Sequence, residues 1–262
     1  MVPEDSVVRW RVGTVPYLVA RPLTFGLAEH AQVELIEAPP SLLASLLRSG
    51  DLEVALASSV LALEDPPLQM WTEGPVIASD GPIHSVLLFL APGVADASSI
   101  RSWYADPFSR TGRRLTTWLM QNAWQNAGAK VLEVPPEGNA FALAIEKGVD
   151  AVQMIGDPAL LAHQAYPDWT AIDLGSSWKT AAQIPFVFAG WMQRDGFEMG
   201  GLAEILQASA KAGLQKRKVL AQQAAAGDDA QEAFLTQYLC EDLLYELRPE
   251  EVLACLQEFR VS

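Results

Sequence analysis

The sequence predicts an α/β fold of two lobes, with mixed, mostly parallel sheets and a ligand cleft between the lobes. Strand and helix patterns alternate along most of the 262 residues, which is typical of folds with parallel strands. The alternation starts afresh near residue 93, and a fully apolar strand pattern returns at residues 184–192. A first lobe that is interrupted by a second and later resumed accounts for both observations.

Five strands and two helices are predicted before residue 92. The strands are residues 7–15, 33–36, 52–57, 85–91 and an edge segment within 70–79. One helix is expected over residues 21–29, because Pro22 suits the first turn of a helix. A second helix is expected to begin with Ser41 as its N-cap, to place four leucines on one apolar face, and to end at Gly50.

The same kinds of pattern recur after residue 93. Strands are predicted at 102–105, 131–134, 149–155 and 184–192, with helices from the loop at 106–112 through residue 124, over 139–147, and after residue 157. Residues 46–59 and 144–157 share one order of apolar helix, glycine, aspartate, apolar strand and polar turn. The remainder, residues 198–261, is predicted to be helical with breaks at 227–229 and 248–250.

The crossings between the lobes are expected near residues 92 and 186. Lobe 1 then comprises residues 1–91 and 187–262, and lobe 2 comprises residues 92–186. This is the type II, periplasmic-binding-protein-like arrangement, in which a hinge closes two lobes around a ligand. The sequence contains no glycine-rich dinucleotide motif, P-loop, His-Glu-x-x-His or Gly-x-Ser-x-Gly motif, so nucleotide and zinc chemistry have no sequence support.

Composition disfavours several classes of partner. A net charge of −14 argues against nucleic acid, since phosphate backbones need clustered lysine and arginine. No apolar run approaches the ~20 residues of a membrane span, and the acidic start of the chain lacks the features of a signal peptide, so a cytoplasmic location is expected. Two cysteines in helical contexts predict neither a disulfide nor a metal site. No cofactor is expected, and a homodimer is left open.

Three polar residues before a predicted helix form the first candidate site. Ser109, Arg110 and Thr111 lie where free backbone N–H groups and the positive end of the helix dipole favour an anion. Two hydroxyls and a guanidinium suit a carboxylate. The alternative is an ordinary N-cap formed by Ser109 or Thr111.

The loops after the first and third strands supply further candidates. Tyr17 and Arg21 lie in the loop after the first strand, where ligands usually bind in open α/β sheets. Ser58 ends the strand predicted at 52–57 and would lie at the same edge. Each of these residues is also compatible with a purely structural role.

Three more candidate residues come from the second half of the chain and from the apolar strand predicted at 85–91. Gly156 and Asp157 occupy a turn that is expected to face the cleft, although Asp157 also suits an N-cap. Ser85 opens the strand predicted at 85–91. If its side chain lines the cleft, the adjacent His84 points to the opposite face.

Six blocks of sequence between residues 12 and 191 form a further pattern. They are Val12-Gly13 with Tyr17-Leu18 and Arg21-Pro22-Leu23, Ser79-Asp80-Gly81-Pro82 with Ser85, Ser109-Arg110-Thr111, Ile155-Gly156-Asp157 with Ala159-Leu160, Asp173-Leu174-Gly175 with Trp178-Lys179, and Pro185-Phe186-Val187-Phe188-Ala189 with Trp191. In this order the blocks resemble the chorismate dehydratases of the futalosine route to menaquinone. Each block is weak alone, and together they are specific.

The resemblance implies a two-lobe binding-protein fold used as a cytoplasmic enzyme. The implied activity is that of a carbon–oxygen hydro-lyase, which converts chorismate into 3-[(1-carboxyvinyl)oxy]benzoate and water. Ser85 would be the catalytic serine, Ser109 and Thr111 would donate to carboxylates, and Arg110 would contribute charge or brace the turn. The loss of water aromatises the ring, so positioning and exclusion of water suffice without a metal. The proton acceptor is left open, and a substrate carboxylate oriented by Ser85 is one hypothesis.

Val19 is the main departure from the family pattern. The family usually has an asparagine there that is thought to take part in catalysis, whereas valine has no hydrogen-bonding side chain. The alternative interpretation is therefore a non-catalytic or altered-specificity binding protein for a small aromatic carboxylate. A second alternative, another enzyme of the same pathway on the same fold, would be expected to place a histidine in the cleft.

Overall fold

Two mixed β-sheets organise the chain in the computed structural model, which describes residues 9–135 and 138–260. In chain order the strands are β1 (Trp10–Thr14), β2 (Val33–Glu37), β3 (Val54–Ser58), β4 (Gln69–Met70), β5 (Val76–Ser79), β6 (Val86–Leu90), β7 (Ser102–Ala105), β8 (Lys130–Glu133), β9 (Ala151–Ile155), β10 (Thr170–Asp173), β11 (Phe186–Gln193) and β12 (Leu243–Leu244).

The helices cover the sheets and form most of the last quarter of the chain. They are α1 (Pro40–Ser49), α2 (Arg110–Asn122), α3 (Ala140–Lys147), α4 (Gly156–Ala165), α5 (Leu174–Ala182), α6 (Gly200–Leu214), α7 (Arg217–Ala225), α8 (Asp229–Gln237) and α9 (Pro249–Arg260), with a π-helix at Tyr238–Asp242. Within the described ranges, none of them combines the length and the apolar character that crossing a membrane requires.

The two sheets share one pattern of strands. The first has the order β12-β5-β11-β3-β1-β2, with β4 paired to β11, and the second has the order β10-β6-β9-β7-β8. The prediction of mixed sheets is confirmed, but its "mostly parallel" part is wrong. Four of the ten pairings among the described strands are parallel and six are antiparallel. The reason is that β5, β6, β10 and β11, which carry the chain between the sheets, run antiparallel to their neighbours.

The chain passes to the second sheet between β5 and β6, and it returns through α5 between β10 and β11. The first crossing was expected near residue 92, but β6, which ends at Leu90, already belongs to the second sheet. The return was expected near residue 186, which is where β11 starts. All five residues of β6 are buried, so its apolar pattern does not reveal which sheet it joins. The division into lobes stays a prediction, and we place its first crossing at residues 80–85.

Two local predictions in the first half of the chain are wrong. Residues 21–29 form turns instead of a helix, with bonds that span three residues, such as Leu27 N–H to the Thr24 carbonyl. The left-handed Gly26, with a φ of 74°, interrupts any helical continuation. Ser41 lies inside the first turn of α1, and Pro39 occupies the N-cap. Residues 7, 8 and 261, which belong to predicted elements, lie outside the described residues.

An arginine–carboxylate contact recurs at corresponding places in the two sheets. The backbone N–H and the guanidinium of Arg11 on β1 donate to Glu53, just before β3, at 2.7 and 2.5 Å. The same two groups of Arg101 donate to Asp150, just before β9, at 2.8 Å each. The Arg101 guanidinium holds the pKa of Asp150 below its usual value. Residues 46–59 and 144–157 therefore share more than their order of helix, glycine, aspartate, strand and turn. Each also forms the same contact with a neighbouring parallel strand.

Helix α6 fixes the loop that follows β1 by close packing. A Cβ atom on Gly213 would collide with the carbonyl oxygen of Pro22 and lie 2.7 Å from the Cβ of Phe25. One turn earlier, the hydroxyl of Ser209 donates to the carbonyls of Leu23 and Phe25 at 3.1 and 2.9 Å. This face of α6 therefore holds the backbone of residues 22–25.

We expect Gly213→Ala to lower the free energy of unfolding by about 1–3 kcal/mol, the usual effect of overpacking a close contact. Alanine is the better helix former by about 1 kcal/mol, so helix propensity alone predicts the opposite sign. Gly201→Ala on the same helix is the control, because the nearest neighbour of its Cβ, the Cη2 of Trp10, would lie 3.7 Å away. Urea denaturation measures the free energy of unfolding of both variants. If Gly213→Ala were as stable as Gly201→Ala, the packing argument would be contradicted.

Candidate functional site

A cavity lies between the two sheets, where β3, β6, β9 and the first turn of α2 meet. The empty space between its lining residues, open mouth included, is about 590 Å³. Most of its wall is apolar and comes from both sheets: Val15, Val19, Pro40, Leu56, Ala57, Ile77, Ile83, Val86, Ile155, Phe188 and Ala189.

Four buried hydroxyl side chains converge on this cavity. Ser58 ends β3, Ser85 directly precedes β6, and Ser109 and Thr111 lie at the start of α2. Each is between 4 and 8% exposed. The buried Gln153 on β9 donates its Nε2 to the Oγ of Ser109 at 3.2 Å and so fixes that hydroxyl. The cavity therefore has an apolar body with hydroxyl groups supplied by both sheets.

The first turn of α2 adds backbone donors to the same wall. Arg110, Thr111 and Gly112 all line the cavity, and the first N–H groups of a helix have no partner within it. Ser109 is the N-cap residue, but its side chain makes no capping bond to the described helix. A Cβ on Gly112 would lie 2.5 Å from the Oγ of Ser109 and 2.7 Å from the Nε2 of Gln153. A side chain at position 112 would displace the Ser109 hydroxyl or the Gln153 amide, and the helix N-terminus is suited to an anion.

Ser85 is held by a residue that does not line the cavity. The phenol of Tyr238 donates to its Oγ at 2.8 Å, and burial raises the pKa of that phenol far above its usual value. The backbone N–H of Ser85 donates to the carbonyl of Ile83 at 2.6 Å across His84, whose φ is 56°. The His84 Nε2 lies 3.0 Å from a carboxylate oxygen of Asp242, and no histidine is found among the described residues that line the cavity.

Tyr17 and Gly156 form one end of the cavity by direct packing. A Cβ on Gly156 would lie 2.7 Å from the Cε1 of Tyr17, and its φ of 70° also favours glycine. Burial, together with the nearby carboxylates of Asp106 and Asp157, raises the pKa of Tyr17 to about 12. The Tyr17 phenol is therefore a neutral hydrogen-bond donor at physiological pH.

Val19 places its side chain in the cavity wall, at the position where the resembled family carries asparagine. The valine is buried, and its carbonyl oxygen accepts a hydrogen bond from the phenol of Tyr245 at 3.1 Å. The backbone at this position is thus fixed from behind, while the side chain gives the wall an apolar patch.

Three polar contacts close the seam between the elements of the two sheets. They are Val60 N–H to Thr111 Oγ1 at 3.4 Å, Arg110 Nη2 to Glu64 Oε1 at 2.7 Å, and Leu18 N–H to Asp157 Oδ1 at 3.1 Å. Burial raises the pKa of Asp157, and the Leu18 contact opposes that shift. Glu64 does not line the cavity and also accepts from Arg48. The guanidinium of Arg110 is therefore paired with a carboxylate outside the cavity, and this pair braces the turn.

The structure brings eight of the ten sequence-predicted site residues to the cavity: Tyr17, Val19, Ser58, Ser85, Ser109, Arg110, Thr111 and Gly156. Arg21 and Asp157 are not among the described lining residues. They face a neighbouring groove together with Phe234 and Leu235 of α8, and Arg21 is exposed there. Arg21 therefore lies away from the cavity that holds its neighbour Tyr17.

Sequence reasoning missed the residues that support the site from behind. Tyr238, Tyr245 and Gln153 hold Ser85, Val19 and Ser109 through single hydrogen bonds. The only available signal was a polar residue inside an apolar strand, Gln153. Nothing in a helical pattern distinguishes the two tyrosines.

The ionisable groups at the cavity are few. In the part of the chain that the structure describes, the ionisable lining residues are Tyr17 and Arg110. His, Cys, Asp and Glu side chains form no group of three suited to a metal ion within the same described ranges. The arrangement can bind an apolar ring through its walls and an anion through hydroxyl and backbone donors.

Solved structures of binding proteins share this fold at low sequence identity. The periplasmic aliphatic sulphonate binding protein SsuA of Escherichia coli is 14% identical, with a TM-score of 0.64 over 96% of this chain and 85% of that chain. A solute receptor for L-cysteine from Neisseria gonorrhoeae is 13% identical, with a TM-score of 0.56 over 91% of this chain and 96% of that chain. A Candida albicans gene product described as having the generic periplasmic binding protein fold is 14% identical, with a TM-score of 0.59 over 96% and 89%.

The fold is therefore periplasmic-binding-protein-like, as the sequence predicts. A protein-family model described as "Menaquinone biosynthesis" matches residues 10–261, which is nearly the whole chain. The match covers both sheets, every strand that lines the cavity and the helices that support it. The chain belongs to this menaquinone-biosynthesis family.

Proposed function

We propose that this protein is a chorismate dehydratase, a hydro-lyase that converts chorismate into 3-[(1-carboxyvinyl)oxy]benzoate and water. The observation that carries the proposal is the cavity itself. Its body is apolar, and its polar groups are buried hydroxyls and the first N–H groups of α2. Membership in a menaquinone-biosynthesis family supports the same conclusion.

The substrate's chemistry matches these groups. Chorismate is a dianion with a six-membered carbon ring. It therefore needs hydrogen-bond donors for its carboxylates beside an apolar surface for its ring. Ser109, Thr111 and the N-terminus of α2 supply donors to one carboxylate. Aliphatic side chains from both sheets, among them Ile77 and Ile155, flank the space left for the ring. Solved relatives of this fold include binding proteins for sulphonates and L-cysteine, which are also small polar solutes.

The reaction needs little from the protein beyond positioning. A proton leaves the ring carbon that bears the enolpyruvyl ether, and the neighbouring carbon loses its hydroxyl group, so that one water forms and the ring becomes aromatic. No carboxylate or imidazole is present among the described lining residues. The proposed proton acceptor is the enolpyruvyl carboxylate of the substrate, which can reach that hydrogen through a six-membered arrangement. Ser85 would orient this carboxylate, and the apolar walls would limit the access of water.

The rival function is a binding protein for a small aromatic carboxylate. Val19 favours it, because an apolar side chain occupies the wall at the position where the resembled family carries asparagine. Both functions require the same cavity, so only turnover separates them.

Purified protein incubated with chorismate should form the aromatised product, detected by mass. Ser85→Ala should lower kcat by roughly 100-fold, the usual effect of removing one donor at the reacting centre. Ser209→Ala removes another buried hydroxyl, one that does not line the cavity, and should leave kcat near that of the parent. Saturable binding without turnover at high protein concentration would establish the rival function, and equal rates for Ser85→Ala and the parent would remove Ser85 from the mechanism.

The rate should depend little on pH between about pH 7 and about pH 9. Burial raises the pKa of Tyr17 to about 12, so this phenol keeps its proton throughout the window. The substrate carboxylates are fully ionised there, since carboxyl groups titrate near pH 4. Stopped-time product assays across the window measure kcat. If kcat instead changed with an apparent pKa between about pH 7 and about pH 9, a protein group, and not the substrate, would be the proton acceptor.

Val19→Asn should raise kcat by about tenfold or more if a missing hydrogen bond limits the rate, since such a bond at a transition state is worth at least that factor. The backbone of residue 19 is held by Tyr245, so the substitution changes the side chain without moving the loop. Val19→Ala enlarges the cavity without adding a donor and should give no gain. A fall in kcat for both variants would show that the apolar wall is itself required.

A further inference from the structure

We infer that Tyr238 is a positioning residue for Ser85, and that its phenol holds the serine side chain in its rotamer and turns the hydroxyl proton toward the ligand. This inference rests on the proposed function for its kinetic consequences, although the geometry of the pair can be tested without it. Tyr238 lies outside every block that resembles the dehydratases, on the π-helix that follows α8. It does not line the cavity, and among the residues that do, Ser85 accepts its hydrogen bond.

The direction of the hydrogen bond determines the orientation of the serine. The Tyr238 hydroxyl donates to the Ser85 Oγ at 2.8 Å, and both residues are buried. A serine hydroxyl has one hydrogen and two lone pairs. With one lone pair engaged by Tyr238, the hydrogen must point elsewhere. Ser85 lines the cavity, so a ligand oxygen is the acceptor within reach of that hydrogen.

The protonation state of Tyr238 is compatible with this direction. Burial raises the pKa of its phenol far above the usual value. The tyrosine therefore keeps the proton that it donates throughout the neutral pH range. A ligand carboxylate that accepts from Ser85 would polarise both hydroxyls, those of Ser85 and Tyr238. Linked hydrogen bonds strengthen one another in a low-dielectric interior.

The π-helix fixes the segment around Ser85 at a second point. Asp242, at the other end of the π-helix, contacts the imidazole of His84, whose ring also packs edge-on against Tyr238 at 6.2 Å. Two consecutive residues of the crossing segment are thus held by two residues of one π-helical turn. Such turns occur frequently at functional sites.

The contrasting explanation is that Tyr238 only fills space and satisfies its own hydroxyl. A buried tyrosine does need a hydrogen-bond partner, and loss of that bond would then lower stability alone. A positioning role differs because it makes the effect of Tyr238 on the rate depend on the presence of Ser85.

The test is a double-mutant cycle with chorismate as the substrate. Tyr238→Phe should lower kcat by roughly tenfold while KM changes by less than about threefold, since the serine remains but is no longer oriented. The double variant with Ser85→Ala should be no slower than Ser85→Ala alone. Ser209→Ala, which removes a buried hydroxyl that donates to two carbonyls, controls for loss of stability. Independent, multiplying effects on kcat, or an unchanged kcat in Tyr238→Phe, would overturn the inference.

A crystal structure of Tyr238→Phe separates this inference from the proposed function. The Ser85 Oγ should leave the position that it holds beside residue 238 and adopt another rotamer. If the parent protein fails to turn over chorismate but the serine rotates, the proposed function is wrong and the positioning role stands. If the serine keeps its rotamer in the variant, the positioning role is wrong whatever the substrate.

Discussion

The carboxylate of Asp173 is the contact on which the geometry of the cavity depends. It ends β10 and accepts the backbone N–H groups of Ile83 and His84 at 3.0 and 2.7 Å, and that of Ser176 at 2.9 Å. One side chain thereby fixes both connections between the sheets: the outgoing segment at residues 80–85, and the start of α5, which carries the return. Ser85 follows that segment directly, so its place in the cavity wall depends on a residue that touches no ligand.

The proposed anion site lies in an acidic protein. A net charge of −14 repels anions at long range, and the arginine beside the cavity is already paired with Glu64. Attraction for the proposed dianion would therefore come from short-range donors in a buried environment, where hydrogen bonds to a charged group are stronger than in water. The hydroxyls of Ser85, Ser109 and Thr111 and the N–H groups of α2 would meet this requirement without adding a positive side chain that would need a counter-ion.

Most of the site could be predicted because its residues lie at strand ends, which a pattern of buried strands and polar turns marks locally. Tyr238 could not, since 153 residues separate it from Ser85 and a helical pattern does not show where a π-helix forms. Arg21 was expected near the ligand because it lies in the loop after β1, where ligands usually bind in open α/β sheets. In the structure residues 21–29 form turns, and Arg21 faces a neighbouring groove. The sheet to which β6 belongs was also unpredictable, because strands buried on both faces look alike in either sheet.

The contact between Tyr245 and the carbonyl of Val19 has an evolutionary consequence. The bond holds an atom that every amino acid possesses, so the course of the opening loop does not depend on which side chain position 19 carries. A single exchange there can alter the chemistry of the wall while the scaffold around it stays the same. Position 19 is thus a point at which descendants of one ancestral chain can diverge in ligand or in rate without first having to rebuild their fold.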